Sequence, residues 1–367
     1  MENLGNGIFI FGLVRLVISF VNWVSRLYLP EKYHLKGHPS VSILIPARNE
    51  AENIENLLED LLTINYPSLE IWVYDDSSTD NTADIVLKYA SLHSHIHLLE
   101  GKPLPDGWMG KNFACYQLAS VATGEKLLFL DADVRVRNEI IEKSLFYIDK
   151  YRLKLLSVFP TQIMPTTGSR MVVPIMNWIL LSLLPLPLIR LSKMVSLSAA
   201  NGQYMFFDAD EYHRIEPHRL FRSNQVEDIA ILKEYKRRRM KSATLLGADD
   251  IYCRMYSELQ EGIDGFSKNV FQFFGGSRLL TVLFAMVTTI APFYLFVFNG
   301  YIYGLIYLLF IILIRVFVSL SSHQPVAGNL LLLVPQQFVF WKIIISAFVK
   351  SKNKNLLWKG RNISSVS

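Results

Sequence analysis

Two short strings constrain the fold more than anything else in the chain. They are Val73-Tyr74-Asp75-Asp76-Ser77-Ser78 and Leu127-Leu128-Phe129-Leu130-Asp131-Ala132-Asp133, and each is an apolar run ending in paired carboxylates. A strand buried on both faces of a parallel sheet reads as such a run, and ligands of an open α/β sheet collect outside the carboxyl ends of its strands. The pattern therefore predicts two strands delivering Asp75/Asp76 and Asp131/Asp133 to one rim. Asp131 and Asp133 are two apart, so on an extended strand end their side chains share a face. Two carboxylates so placed suit a hard divalent ion, Mg2+ or Mn2+, that also grips a diphosphate.

The segments around these strings alternate as a parallel sheet requires. Val41–Pro46 reads as a first strand and Ala47-Arg48-Asn49-Glu50 as the turn out of it. Ile54, Leu57, Leu58, Leu61 and Leu62 recur three and four apart, which predicts a helix over Asn53–Thr63. Leu69–Tyr74 is a second strand, and Asp80 or Asn81 caps a helix to Ala90. Ile96–Leu99 is a third strand, Asn112–Val121 a helix, and Lys126–Leu130 the strand that carries Asp131. This β-α-β-α order predicts an α/β fold. Met171–Ile189 is apolar but broken by Pro174, Pro185 and Pro187, which predicts a groove or membrane-surface helix, not a span.

Charge is segregated along the chain. Every Asp and Glu lies at or before Asp264, and the last 103 residues carry nine Lys/Arg and no acid. Leu279–Phe298 and Tyr301–Leu320 are 20-residue runs, the second interrupted only by Arg315, and each is long enough to cross a bilayer. Ile8–Leu29, with Arg15, Asn22 and Arg26, either spans or lies flat. Leu330–Val349 is interrupted by Pro335-Gln336-Gln337 and Lys342, which predicts a broken, re-entrant or interfacial pair of short helices. Lys32, His34, Lys36, Lys268 and Arg278 flank the spans, and the positive-inside rule puts the intervening domain in the cytoplasm of a multi-pass cell-membrane protein. The expected layout is a membrane helix over 1–36, a cytoplasmic domain over 37–270, membrane helices over 271–349 and a basic tail over 350–367. Cys115 and Cys253 match no metal spacing and read as reduced, buried residues. The basic cluster Lys236–Arg239 with Lys241 reads as a solvated face or a contact to anionic lipid, and nothing around it points to nucleic acid.

Four further stretches carry residues suited to group transfer. Asp75 or Asp76 can accept from a nucleobase N–H, with the Ala47–Glu50 turn beside it. Lys111, in Gly110-Lys111-Asn112 at a helix start, is placed for a phosphate. In Val226-Glu227-Asp228-Ile229 the acids either cap a helix or, for Asp228, act as a general base. Asn201-Gly202-Gln203 is either a plain turn or one lining an acceptor.

Taken together, Ile45-Pro46-Ala47-Arg48-Asn49-Glu50, Asp75-Asp76, Asp131-Ala132-Asp133 and Glu227-Asp228 resemble the family-2 inverting glycosyltransferases of the GT-A fold. Gly110–Gln117, Gly265-Phe266-Ser267-Lys268-Asn269 and Trp358-Lys359-Gly360-Arg361 resemble the subgroup that glucosylates carotenoid acids in staphyloxanthin-type pathways, and Asn201-Gly202-Gln203 is similar to hopanoid-associated relatives. The resemblance implies a membrane-bound, metal-dependent hexosyltransferase that takes a UDP-sugar, UDP-glucose above all, and a lipid-soluble acceptor such as a carotenoid acid. It implies a nucleotide-sugar site of Pro46, Ala47, Arg48, Glu50, Asp75, Asp76, Lys111, Asp131, Ala132 and Asp133, with the metal on Asp133 and Asp131 and Asp228 as base. On the acceptor side it implies Asn201, Gly202, Gln203, Glu227, Phe266, Lys268, Trp358, Lys359 and Arg361. The Gln/Arg-x-x-Arg-Trp motif of processive polysaccharide synthases is missing, since the chain has no Arg-Trp pair. The alternatives are such a synthase, an enzyme acting on a hopanoid or glycerolipid, and a non-catalytic membrane scaffold that only binds nucleotide.

Overall fold

The computed structural model describes residues 2–137, 139–353, 357–358 and 361–362, with the backbone alone at 2, 352–353, 357–358 and 361–362. The chain forms two compact units: one of residues 28–161, 188–254 and 357–367, the other of 1–27, 162–187 and 255–356.

The first unit is built on a seven-stranded sheet. Its strands are β1 (Val41–Ala47), β2 (Leu69–Asp75), β3 (Ile96–Glu100), β4 (Lys126–Leu130), β6 (Leu155–Phe159), β8 (Tyr204–Asp208) and β9 (Ser242–Leu246), in the order β3-β2-β1-β4-β8-β6-β9. Shorter strands are β5 (Val134–Val136), β7 (Thr161–Gln162) and β10 (Ile251–Cys253). All the main strands run parallel except β8, which is antiparallel to both neighbours. Strand order reverses on either side of β1, and this is where an open α/β sheet opens a crevice at its carboxyl edge. The expected strands are present with ends shifted by a residue at most, and Lys126–Leu130 is unchanged. The helix over Ile54–Leu62 buries Ile54, Leu57, Leu58 and Leu61, the face its spacing predicts. Asp80 closes the start of Thr82–Leu92, with Oδ1 accepting from the Thr82 N–H at 3.1 Å.

One feature of β4 differs from expectation. The strand stops at Leu130, and Asp131–Asp133 form a turn closed by the Val134 N–H on the Asp131 carbonyl at 3.4 Å. The two carboxylates are therefore not on one face of an extended strand. The turn sends them to different partners.

The second unit is helical. Four of its helices, Glu2–Val24, Arg278–Phe298, Tyr301–Ser321 and Leu333–Asn353, are long and apolar enough to cross a membrane over most or all of their length. Gly300, at φ 96°, turns the chain between the second and third. Glu2–Val24 packs along Tyr301–Ser321 through Phe9 against Phe310 (5.1 Å) and Trp23 stacked on Phe317 (5.1 Å). The expected break at Pro335-Gln336-Gln337 and Lys342 is absent, and the helix is interrupted at Leu332 instead. A short helix, Val326–Leu331, precedes a continuous one, because Pro335 falls in the first turn of Leu333–Asn353, where its missing N–H has no intrahelical partner to lose. The proline-broken stretch folds as Thr167–Val172, Pro174–Leu183 and Pro187–Leu191.

Candidate active site

The turns leaving β1 and β2 are laced to one another. The Asp76 N–H donates to the Ala47 carbonyl at 2.8 Å, and the Arg48 guanidinium donates to the carbonyls of Asp76 and Ser77 and lies 3.9 Å from the Asp76 carboxylate. The Asn49 side chain accepts from the Thr79 N–H (2.8 Å), and the Glu50 N–H donates to Thr82 Oγ1 (2.8 Å). Asn49 (φ 51°) and Ser77 (φ 54°) sit in the left-handed region, which Asn and short polar residues tolerate in such turns. Pro46, Ala47, Arg48 and Glu50 thus form one wall beside Asp75 and Asp76. Asp76 is buried, while Asp75 Oδ2 accepts from the Ser78 N–H (3.3 Å) and its Oδ1 is buried with no hydrogen-bond partner among the described residues. A buried acceptor left unpaired costs about 1–3 kcal/mol, so this oxygen suits an incoming N–H donor. Gly101 lets the backbone pass this point, since a Cβ there would meet the Asp75 carbonyl.

The second cluster follows from the reversed strand. Because β8 is antiparallel to β4, with Tyr204 opposite Leu130, the segment entering β8 lies where β4 ends. That segment is Asn201-Gly202-Gln203. The Gln203 carbonyl accepts from the Asp131 N–H (3.3 Å), the Gly202 N–H donates to Asp228 Oδ2 (3.0 Å), and the Gly202 carbonyl accepts from Lys111 Nζ (3.4 Å). The turn is held from below by the Asn201 N–H on Ser157 Oγ (2.8 Å). β10 pairs with β5 so that Cys253 lies opposite Val134, next to Asp133. Gln203 Nε2 donates to Cys253 Sγ at 2.8 Å and lies 3.4 Å from Asp133 Oδ1.

Lys111 is the cation of this cluster. Its Nζ lies 2.6 and 2.8 Å from the two Asp131 oxygens and 3.8 Å from Glu227 Oε1. Burial works against its charge, but Asp131 and Glu227 outweigh burial and raise its pKa. Asn112, fully buried on the same helix (Gly110–Val121), donates to the carbonyls of Phe221, Arg222 and Asn224 and so fixes the loop leading to Glu227. Burial pushes Glu227 up to about 7; Lys111 opposes the rise and Asp228 adds to it. Burial likewise raises Asp228, opposed by the Ile229 N–H, which donates to its Oδ1 at 2.7 Å. That contact and the Gly202 N–H occupy one direction on each Asp228 oxygen, and a carboxylate oxygen has a second.

These residues therefore form two groups in one unit: Pro46, Ala47, Arg48, Glu50, Asp75 and Asp76 at the β1–β2 rim, and Lys111, Asp131, Ala132, Asp133, Asn201, Gly202, Gln203, Glu227 and Asp228 at the β4–β8 rim. Phe266 and Lys268 lie on the helix Leu259–Asn269 of the helical unit, where Phe266 packs edge-on against Tyr256 (5.3 Å). Trp358 and Arg361 have described backbone in two short paired strands, and Lys359 lies outside the described residues. Among the described residues no three His, Cys, Asp or Glu side chains converge as a metal cage. The pairing of Lys111 with Asp131 and the contact of Cys253 with Gln203 were not foreseen from sequence. Neither Asn112 nor Cys253 carried a signal that set its contacts apart in the sequence.

Residues 42–188 match the family model Glycosyl transferase family 2. That match spans β1 to β7, and the α/β sheet has the GT-A architecture. The chain is similar to the 4,4'-diaponeurosporenoate glycosyltransferase of Staphylococcus aureus strain MRSA252, 25% identical with 96% of this chain and 97% of that protein covered. The protein of the same name from the bovine strain RF122 / ET3-1 is 31% identical over 41% of each chain. Among solved structures, the chain is similar to a mannosyltransferase from Pyrobaculum calidifontis in complex with GDP-Man and Mn2+, with a TM-score of 0.53, 15% identity, and 94% of this chain and 99% of that one covered.

Proposed function

We propose that the chain transfers a hexose, glucose from UDP-glucose, with inversion onto a lipid-soluble acceptor such as a carotenoid acid, at the cytoplasmic face of a membrane that its apolar helices cross. The observation that carries this reading is the Asn201-Gly202-Gln203 turn. A single residue, Gly202, joins Asp228 through its N–H to the Lys111–Asp131 pair through its carbonyl. A proton acceptor is thereby held at a fixed place relative to the acids at the end of β4.

In this reading the unpaired Asp75 oxygen accepts from the nucleobase, with Asp76 and the Pro46–Glu50 wall beside it. Asp133, with oxygens of the donor's diphosphate, would hold Mg2+ or Mn2+. One carboxylate plus substrate phosphates is an ordinary ligand set for such ions, and the ion supplies charge neutralisation for the leaving diphosphate. Asp131 is balanced by Lys111 and keeps the turn in shape. The acceptor oxygen attacks the anomeric carbon from the face opposite the diphosphate, and the carbon–oxygen bond to the diphosphate breaks with its electron pair; a carotenoid acid attacks as its carboxylate with no proton left to lose, whereas an alcohol acceptor gives its proton to Asp228. The names of the Staphylococcus aureus relatives support a carotenoid acid as acceptor, and the four apolar helices support a lipid-phase one.

Membranes from a host expressing the chain, given UDP-glucose, Mg2+ or Mn2+ and a C30 carotenoid acid, should yield the glucosyl ester, read by mass spectrometry. If no lipid acceptor, acid or alcohol, gains a hexose under these conditions, the reading is wrong.

A further inference from the structure

The helical unit buries two cations that the glycosyl-transfer site does not use. Arg15 lies on Glu2–Val24 and Arg315 on Tyr301–Ser321, and each is 3% exposed. Both guanidiniums lie over the ring of Trp178, on Pro174–Leu183, at 5.0 and 4.4 Å from its centroid. Arg15 donates to Ser182 Oγ (2.9 and 3.3 Å) and lies over Phe284 (4.9 Å); Arg315 donates to Gln336 Oε1 (2.8 Å). Among the described residues neither has a carboxylate partner. The described acids of this unit are engaged elsewhere: Glu258 and Glu261 at the start of Leu259–Asn269, and Asp264 with Lys350 at 2.6 Å.

A guanidinium stays protonated at any pH the protein meets and carries five N–H donors in a planar fork. Among the described residues, three hydrogen bonds to Ser182 and Gln336 engage only a minority of those donors. Buried charges are normally paired, and an ionisable residue inside a membrane segment is by default a functional site. Cation–π contacts with the shared Trp178 indole and, for Arg15, with Phe11 and Phe284 offset only part of the burial cost of two like charges. The surroundings are polar as well: Gln336 donates to Asn329 Oδ1 (3.1 Å), Asn329 to Ser319 Oγ (2.8 Å) and Gln324 Oε1 (3.1 Å), and Gln324 Nε2 is buried with no hydrogen-bond partner among the described residues.

We propose that Arg15 and Arg315, on either side of the helix that carries Trp178 in sequence, form a binding site for the oxyanion head group of an amphiphile, a phosphate or a carboxylate on a long apolar chain. The guanidinium fork matches paired oxygens of either head group. The helices that carry it are apolar along their length, so the anion arrives from the lipid phase attached to an apolar tail. The site uses none of the residues assigned to sugar transfer and rests on the reading that these helices cross a bilayer.

The test is native mass spectrometry of the full chain, extracted from membranes, delipidated and titrated with dioleoyl phosphatidate, oleate, or neutral diolein. The expected result is one equivalent of phosphatidate or oleate bound at least tenfold more tightly than diolein, the tighter of the two identifying the head group. Selectivity should fall at least tenfold in Arg15→Gln/Arg315→Gln. Arg15→Lys/Arg315→Lys, which keeps the charge and loses the fork, should also weaken binding, and this pair together with the wild type decides the matter if the Gln variant does not fold. Equal uptake of all three lipids by the wild type, unchanged selectivity in both variants, or full displacement by inorganic phosphate would overturn the site. Recovery of the chain in the soluble fraction would overturn the membrane reading along with it.

Discussion

The residue that sets the chemistry of the β4–β8 rim is Lys111. One ammonium faces Asp131, Glu227 and the Gly202 carbonyl, so three acids (with Asp228) share one internal cation. Glu227 and Asp228 consequently titrate as a pair, both raised because burial disfavours their charge. A base must be ionised to accept a proton, so kcat/KM toward an alcohol acceptor should fall with falling pH as Asp228, raised by burial, takes up a proton. Glu227→Gln removes one negative charge from beside Asp228 and should move this acid limb to lower pH, measurable in a rate–pH profile; an unmoved limb would show that the pair does not govern the rate. Asp133 makes a different prediction. Asp133→Ala should weaken Mn2+ binding in the presence of UDP at least tenfold, read by electron paramagnetic resonance, and reduce transfer by a hundredfold or more while the fold persists. Unchanged Mn2+ affinity would remove Asp133 from the metal's ligands. The acids were legible in the sequence because carboxylates at the ends of apolar runs are rare without a chemical reason. Lys111 was legible only as a helix-start lysine. Its partner, twenty residues away, depends on where the Gly110–Val121 helix points.

At the scale of elements, the antiparallel β8 is what turns an ordinary nucleotide-binding sheet into a two-sided site. It reverses the chain so that a loop enters the sheet at the same edge where β4 leaves it. Nothing in the run Tyr204-Met205-Phe206-Phe207 distinguishes an antiparallel strand from a parallel one, so this topology was not readable. β1 to β4 were readable because each is a buried apolar run bounded by turn residues. The Leu333–Asn353 helix was misread because a proline and a lysine were weighed as breaks without regard to position. Pro335 falls in a helix's first turn, and Lys342 is exposed on the helix surface. The turn before β8 has a specific steric requirement. A Cβ on Gly202 would sit 3.1 Å from Lys111 Nζ and 3.4 Å from Glu227 Oε1, and Lys111 cannot retreat without leaving Asp131. Gly202→Val should lower kcat/KM at least tenfold with little change in the thermal midpoint, checked by kinetics beside calorimetry. Parental kinetics in that variant would make the turn a plain connection.

At the scale of the whole molecule, the charge segregation in the sequence corresponds to two units of different chemistry. One is an α/β sheet with its acids at the carboxyl edge; the other is a set of apolar helices linked by polar contacts such as Arg315 to Gln336 and Gln337 to Thr289. The chain should resist extraction from membranes by carbonate and yield to detergent, as helices of this length and composition require. The central claim is that Asp228, held by Gly202, takes the proton during hexose transfer. The most direct measurement compares wild type with Asp228→Asn, using UDP-glucose and two acceptors matched in chain length, one a lipid alcohol and one a lipid carboxylic acid. A carboxylic acid is already ionised at pH 7 in water, whereas an alcohol keeps its proton until attack. Loss of the base should therefore cost transfer to the alcohol on the order of a hundredfold or more, and transfer to the acid distinctly less, with UDP binding retained in both cases. Transfer to the alcohol within about tenfold of the wild type would contradict the account and leave Asp228 as no more than a hydrogen-bond acceptor at a helix start.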